Sequence, residues 1–158
     1  MRKQTKLVAV LSTAALLAIG ASMTSFAATG WAEEDGTWVY YNRDGERATD
    51  QWKKSGNNWY WLDSDGEMAI DQLIEDGDNY YYVDINGVMA ANQWVAIDNE
   101  DAGQDDEPDH YWYYFQANGK ALKNGDNARV ALKTVNGKKY AFDDEGRMLF
   151  GWVDADNA

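Results

Sequence analysis

The chain has 158 residues, with 27 acidic and 14 basic side chains, eight tryptophans, ten tyrosines and no cysteine. Its net charge of −13 argues against nucleic acid as a partner, since phosphates demand a basic surface. A chain without cysteine forms no disulfide and carries no lipidated cysteine. All the tryptophans and tyrosines follow residue 27, and they exceed what the packing of a small domain needs, so some are expected to face a ligand.

The N-terminus predicts a secretory signal peptide over residues 1–27. Three basic residues precede an apolar stretch from Leu7 to Gly20, and Ser25-Phe26-Ala27 places small residues where a signal peptidase reads them. The stretch is shorter than the roughly 18 residues that a membrane anchor needs. We therefore expect an exported chain at the cell wall or cell surface, without membrane contact. Cleavage after Ala27 leaves 11 basic against 27 acidic residues, a net charge of −16.

One short unit is then repeated five times along the chain. In each repeat an aromatic-rich strand leads into a turn that ends in glycine. The strands and glycines are Trp38-Val39-Tyr40-Tyr41 to Gly45, Trp59-Tyr60-Trp61-Leu62 to Gly66, Tyr80-Tyr81-Tyr82-Val83 to Gly87, Trp112-Tyr113-Tyr114-Phe115 to Gly119, and Lys139-Tyr140-Ala141-Phe142 to Gly146. The first three glycines are 21 residues apart, a period typical of stacked supersecondary units.

Local composition predicts that each repeat is a β-hairpin. The strands are rich in tryptophan, tyrosine and valine, and the glycine after each one can take the positive φ of a tight turn. A lone hairpin is marginally stable in water, so each must bury one face against its neighbours. The predicted fold is all-β, a β-hairpin repeat solenoid over residues 28–158. It contains about five hairpins and a terminal half-unit that begins at Gly151-Trp152.

Strand alternation separates two faces of each repeat. The core face carries the fourth and sixth residues before each glycine and keeps bulky side chains in all five repeats. The aromatic face carries the fifth and seventh residues, which are rings in four repeats but Ala141 and Lys139 in the last one. Because the fifth repeat can fold without these rings, we expect the ligand on the aromatic face.

Further recurrent residues flank the strands. A leading tryptophan stands seven residues before three of the strands, as Trp31, Trp52 and Trp94, counted without the insertion described below, and leucine takes its place in two repeats. A methionine follows the turn glycine by two residues as Met68, Met89 and Met148. Both residue types also fill seams between packed units, so ordinary packing is the alternative interpretation.

The repeats resemble the choline-binding, or cell-wall-binding, repeats of Gram-positive surface proteins. That pattern is Gly-Trp, a spacer, Gly, then Trp-Tyr-Tyr-Phe/Leu-Asp, Gly and Met. It is carried by Gly30-Trp31 through Gly45 and by Trp59-Tyr60-Trp61-Leu62-Asp63 through Met68, and the resemblance covers residues 30 to 153. It implies hairpins stacked in a left-handed superhelix, with choline of teichoic acids held in aromatic cages between them. Glucan-binding and clostridial toxin repeats share much of this pattern.

The resemblance also implies which residues form the cages. A quaternary ammonium has no N–H to donate, so aromatic faces hold it, at roughly 0.5 to 2 kcal/mol per ring. Each cage combines a leading tryptophan and the first strand aromatic with the fifth-back aromatic of the next repeat. The two complete cages are Trp31, Trp38 and Trp61, and Trp52, Trp59 and Tyr82 with Met68. Two weaker sites follow, formed by Tyr80 and Tyr114 with Leu73, and by Trp94 and Trp112 with Ala141.

The fourth repeat carries an insertion of 11 residues between Trp94 and Trp112. Seven acidic residues and no basic one lie between Ile97 and His110. We predict a solvated acidic loop near residues 97–110. A calcium loop is the alternative, although Ala102 replaces an EF-hand ligand and no helices flank the segment. A second loop is predicted over Lys123 to Val130, and no metal or cofactor is expected.

Catalytic groups are not predicted. His110 is the only histidine, and carboxylate pairs such as Asp143 and Asp144 fit turn chemistry. Three functions stay open. The favoured one is a non-catalytic module that binds a cell-wall polymer through choline. The alternatives are a module that stacks the same rings on glucan and an adhesive repeat protein that binds other proteins. The half-unit at Gly151-Trp152 also predicts pairing with a second copy as a homodimer.

Overall fold

The computed structural model describes residues 29–125 and 130–151, and every regular element in these ranges is a β-strand. The predicted signal peptide and Trp152 of the half-unit lie outside the described residues. Within the described part, no helix is long and apolar enough to cross a membrane. The strands are β1 (Gly30–Glu34), β2 (Thr37–Tyr41), β3 (Gln51–Ser55), β4 (Asn58–Leu62), β5 (Gln72–Asp76), β6 (Asn79–Val83), β7 (Gln93–Asp98), β8 (His110–Phe115), β9 (Leu132–Val135) and β10 (Lys138–Ala141).

The strands of these ranges form five two-stranded sheets, each made of strands consecutive in the chain. The four registers that are resolved, β1–β2, β3–β4, β7–β8 and β9–β10, are antiparallel. The predicted all-β hairpin repeat fold is therefore confirmed. The left-handed superhelix stays a prediction.

Two-residue turns close four of the hairpins, and their residues explain the turn geometry. Asp35-Gly36 and Asn136-Gly137 have positive φ at both positions, as a type I′ turn requires. In Gly56-Asn57 and Gly77-Asp78 the glycine comes first with positive φ, as a type II′ turn requires. Each turn thus has the residue that its backbone needs.

The turns predicted at the recurring glycines are also confirmed, but they do not join two long strands. All five glycines have φ between 80° and 90°, and each N–H donates to the carbonyl three residues earlier at 2.8 to 3.2 Å. Beyond the turn only single bridges form, such as Leu62 with Met68. The long partner of each aromatic strand is the strand before it. Segments such as Gln51–Ser55 are too polar to signal a strand by composition.

The aspartate that ends three of the aromatic strands organises the turn after it. Oδ1 of Asp63, Asp84 and Asp143 each accepts two backbone N–H groups at 2.8 to 3.0 Å. Such bonds mimic a backbone turn. The turn role predicted for Asp143 is confirmed.

A regular backbone hydrogen bond joins successive repeats. The residue two positions after the turn glycine donates its N–H to the carbonyl of the first strand residue in the preceding repeat. These bonds run from Met68 to Trp38 (2.8 Å), Met89 to Trp59 (2.9 Å), Ala121 to Tyr80 (2.8 Å) and Met148 to Trp112 (2.8 Å). The recurring methionine position therefore lies in the seam between repeats.

The chain divides into two compact units, Met1–Ile74 with Tyr82–Met89, and Glu75–Tyr81 with Ala90–Ala158. The core of the first unit consists of Trp31, Ala32, Trp38, Val39, Ala48, Tyr60, Leu62 and Met68. In the second unit Phe115 and Phe142 are fully buried. Most of these side chains belong to the predicted core face, but Trp38 belongs to the aromatic face.

The predicted acidic loop is the connection between β7 and β8, over residues 99–109. Its centre is the buried amide of Asn99, which donates to the Pro108 carbonyl at 2.9 Å and accepts from the Asp101 N–H at 3.0 Å. Around the second predicted loop, residues 122–125 and 130–131 lie outside strands. Both insertions therefore leave the hairpins themselves intact.

We expect Asn99→Ala to loosen the acidic loop without unfolding the hairpins. The substitution removes bonds to Pro108 and Asp101, which we expect to be worth about 1 to 2 kcal/mol locally. Amide hydrogen exchange should accelerate about tenfold at loop residues and stay unchanged in β1 to β4. Asn99→Asp keeps the acceptor oxygen and is the control. Equal exchange in the wild type and Asn99→Ala would show that another contact orders the loop.

Candidate ligand-binding site

The leading tryptophans pack across their own hairpins. The strand register places Trp31 opposite Tyr40, Trp52 opposite Trp61 and Trp94 opposite Tyr114. The ring centroids are 5.4, 5.2 and 5.2 Å apart, all in edge-to-face orientation. Such pairs are favourable beyond the area they bury. Each leading tryptophan thus meets the fifth-back aromatic of the same repeat.

The residues of the first predicted cage are buried. Trp31 and Trp38 lie 6.4 Å apart, and Trp31 also contacts Tyr60 at 5.5 Å. Trp38 is 2% exposed and Trp61 is 7% exposed. Protein atoms cover these rings, so a ligand could reach them only after side chains move. That Trp31, Trp38 and Trp61 hold a ligand stays a prediction.

The residues of the second predicted cage are more accessible. Trp59 is 40% exposed, and Trp52 and Tyr82 are half-buried. The Tyr82 hydroxyl donates to the Asp71 carboxylate, and burial together with this bond raises the pKa of Tyr82. The phenol therefore stays neutral at physiological pH and offers an aromatic face.

Met68 contributes to this region from within the core. It is only 6% exposed, and a Cβ added at Gly87 would lie 2.9 Å from its Cε atom. The thioether therefore packs against the turn of the next repeat. This position favours the packing interpretation of the methionine, and any effect on a ligand would be indirect.

The residues of the two weaker sites all lie in the second compact unit. Tyr80 and Tyr114 are half-buried. Trp94 packs against two rings of the fifth repeat, Tyr140 at 4.8 Å and Phe142 at 5.9 Å. Sequence reasoning missed this contact because it placed both partners on the core face. The buried Ala141 leaves the room that these rings fill.

Trp112 borders a groove that sequence reasoning did not identify. Its side chain is 42% exposed, and the groove has a volume of about 280 Å³. The other lining residues are Pro108, Asp109, His110, Tyr111, Met148 and Phe150. The acidic insertion supplies one wall and the fifth repeat the other. Phe150 gave no signal because it lies outside the aromatic strands.

The electrostatic surroundings of the aromatic face favour cations. Burial raises the pKa of Tyr80, and Glu75, Glu145 and Asp144 raise it further, while Arg147 opposes the effect. A field that disfavours a phenolate attracts a positive ligand. Within the described residues no cluster of three His, Asp or Glu could hold a metal ion.

Comparisons with known proteins agree with the family predicted from the repeats. The choline-binding repeat family matches residues 28–69 and 48–94, and the putative cell wall binding repeat family matches residues 111–121. The choline binding domain of Spr1274 from Streptococcus pneumoniae is 32% identical, covering 60% of this chain and 94% of that domain. Its TM-score is 0.44, so the relation rests on sequence. No curated protein matches the chain.

Two larger proteins share the fold. Choline binding protein F from Streptococcus pneumoniae, in the presence of a peptidoglycan analogue, is 29% identical with a TM-score of 0.50. The match covers 78% of this chain and 34% of that protein. Truncated alternansucrase from Leuconostoc mesenteroides is 23% identical, with a TM-score of 0.51, over 78% of this chain and 10% of that enzyme. By its repeats and by its sequence identity to the Spr1274 domain, the chain belongs to the choline-binding repeat family.

Proposed function

We propose that this chain is a non-catalytic module that attaches to a cell-wall polymer by binding choline or a closely related quaternary ammonium group. The observation that carries the proposal is the indole of Trp59, which a strongly acidic chain of the choline-binding repeat family leaves 40% exposed. An exposed aromatic face in a negative field suits a cation that cannot donate hydrogen bonds.

The second predicted cage is the best candidate for the first binding site. Trp59 offers the open ring, and the half-buried Trp52 and Tyr82 belong to the same compact unit. Met68 is buried and would act by supporting the packing of the unit. Trp31, Trp38 and Trp61 would need a rearrangement before they could bind a ligand.

The named relatives support a cell-wall ligand. The Spr1274 fragment is described as a choline binding domain, and choline binding protein F was studied with a peptidoglycan analogue. The likeness to alternansucrase concerns the fold alone, so it lends no weight to a glucan ligand. Attachment to the wall also agrees with the predicted signal peptide, which would export the chain.

Trp59→Ala should weaken choline binding about five- to thirtyfold, as expected for the loss of about 1 to 2 kcal/mol from one aromatic wall. Isothermal titration with choline chloride measures the change. Ile85→Ala is the control because Ile85 is also exposed, at 44%, and belongs to the same compact unit. Unchanged affinity in Trp59→Ala would remove this ring from the site.

Binding to whole cell walls separates the three functional alternatives. Free choline should release bound protein from purified walls, whereas soluble glucan should not. Release by glucan alone would support the carbohydrate-binding alternative. A protein that never binds the walls would favour an adhesive role with protein partners.

A further inference from the structure

Three rings of the aromatic face carry a lysine ammonium of this same chain. Nζ of Lys53 lies 4.7 Å from the ring centroid of Tyr40, and Nζ of Lys54 lies 5.8 Å from that of Trp59. Nζ of Lys123 lies 5.9 Å from the centroid of Tyr80. Significant contacts of this kind occur about once per 70–80 residues. Three within residues 40–123 are therefore more than chance composition would supply.

The hairpin itself brings Lys54 to Trp59. The two residues are directly opposite in the β3–β4 register, next to the pair that closes the turn. Residues directly opposite in antiparallel strands point to the same face of the sheet. Both side chains are exposed, so the ammonium can leave the ring without disturbing the core.

We propose that Lys54 is a built-in competitor for the cationic ligand at Trp59. Its ammonium occupies the indole face to which a quaternary ammonium would bind, and two cations on one face repel each other. The ligand must therefore displace the lysine. This inference rests on the proposed function, because it concerns the same ring.

Competition of this kind lowers the affinity of a single site without abolishing it. The free protein is divided between a lysine-covered and an open state, and the apparent affinity falls with the open fraction. Firm attachment then requires several sites to engage at once, as multivalent binding to a polymer allows. Lys123 places the same contact on Tyr80, a predicted wall in another repeat. The device is thus not confined to one hairpin.

The test compares Lys54→Met with Lys53→Met. Both variants remove one positive charge, but Lys53 covers Tyr40, which belongs to neither predicted cage. In titrations with choline chloride at fixed ionic strength, Lys54→Met should bind about two- to fivefold more tightly than the wild type. Lys53→Met should match the wild type, and Lys54→Arg should restore the competition.

A second measurement detects the contact without any ligand. In NMR spectra of the free protein, the ε-methylene protons of Lys54 should be shifted upfield by the indole ring. The shift should disappear in Trp59→Ala and when choline saturates the site. Thermal unfolding of each variant checks that the fold is intact.

The possible failures are distinguishable. Equal choline affinity in the wild type, Lys54→Met and Lys53→Met would overturn the competition while leaving the proposed function in place. An equal gain in both methionine variants would assign the effect to net charge and would also overturn it. If neither the wild type nor Lys54→Met binds choline, the proposed function fails and the inference falls with it.

Discussion

Replacing Trp38 by alanine is expected to lower the free energy of unfolding by about 3 to 5 kcal/mol, the range for truncating a large buried aromatic side chain. Trp38 is 2% exposed, lies in the core of the first compact unit and contacts Trp31. Its carbonyl also accepts the Met68 N–H, which fixes the backbone in place. Urea denaturation followed by far-UV circular dichroism measures the loss.

Trp59→Ala is the matched control because both tryptophans stand seven residues before a turn glycine. Since Trp59 is 40% exposed, its loss should cost less than about 1 kcal/mol of stability. If Trp38→Ala proved as stable as Trp59→Ala and lost choline binding, Trp38 would be a ligand wall and not a core residue. The pair of variants therefore separates packing from recognition at one repeat position.

Gly87→Ala is expected to destabilise the fold by about 2 to 5 kcal/mol. Gly87 has φ of +80°, and left-handed backbone costs other residues about 1 to 2 kcal/mol. The added Cβ would lie 2.9 Å from Cε of Met68 and 3.2 Å from the Ala69 carbonyl oxygen. Met68 is buried and has little room to move, so overpacking adds about 1 to 3 kcal/mol.

Gly36→Ala isolates the backbone contribution. Gly36 has the same φ of +80°, and a Cβ there would meet no atom within 4 Å. The difference between the two alanine variants, measured by denaturation, is therefore the packing cost in the seam. Adding Met68→Ala to Gly87→Ala should recover part of that difference. Equal destabilisation at Gly36 and Gly87 would refute the proposed contact between Met68 and the turn.

Much of the architecture could be predicted from local residues. The aromatic strands and the turn glycines are short-range signals, and the structure places both where they were expected. The strands that begin at the leading tryptophans could not be predicted equally well. Lys53, Lys54 and Ser55 have no strong β-propensity, and they form a strand because the neighbouring β4 offers hydrogen-bond partners.

The ligand-facing side was harder to predict because strand alternation gives two faces but no measure of exposure. Alternation placed Trp94 on the aromatic face, yet Tyr140 and Phe142 cover it. It placed Met148 near a ligand, and the structure adds His110 and Phe150 around the same groove. These neighbours come from segments 16 to 48 residues away, which no local pattern connects.

The sequence by itself determined the hairpin repeat, its turns and the family, because glycine turns and aromatic strands act within a few residues. Only the tertiary structure decided which equivalent rings are available to a ligand. Trp38 and Trp59 have the same place in the repeat, but one is 2% and the other 40% exposed. The physical reason is that exposure depends on what neighbouring repeats lay over a ring, and those long-range contacts form only when the chain folds.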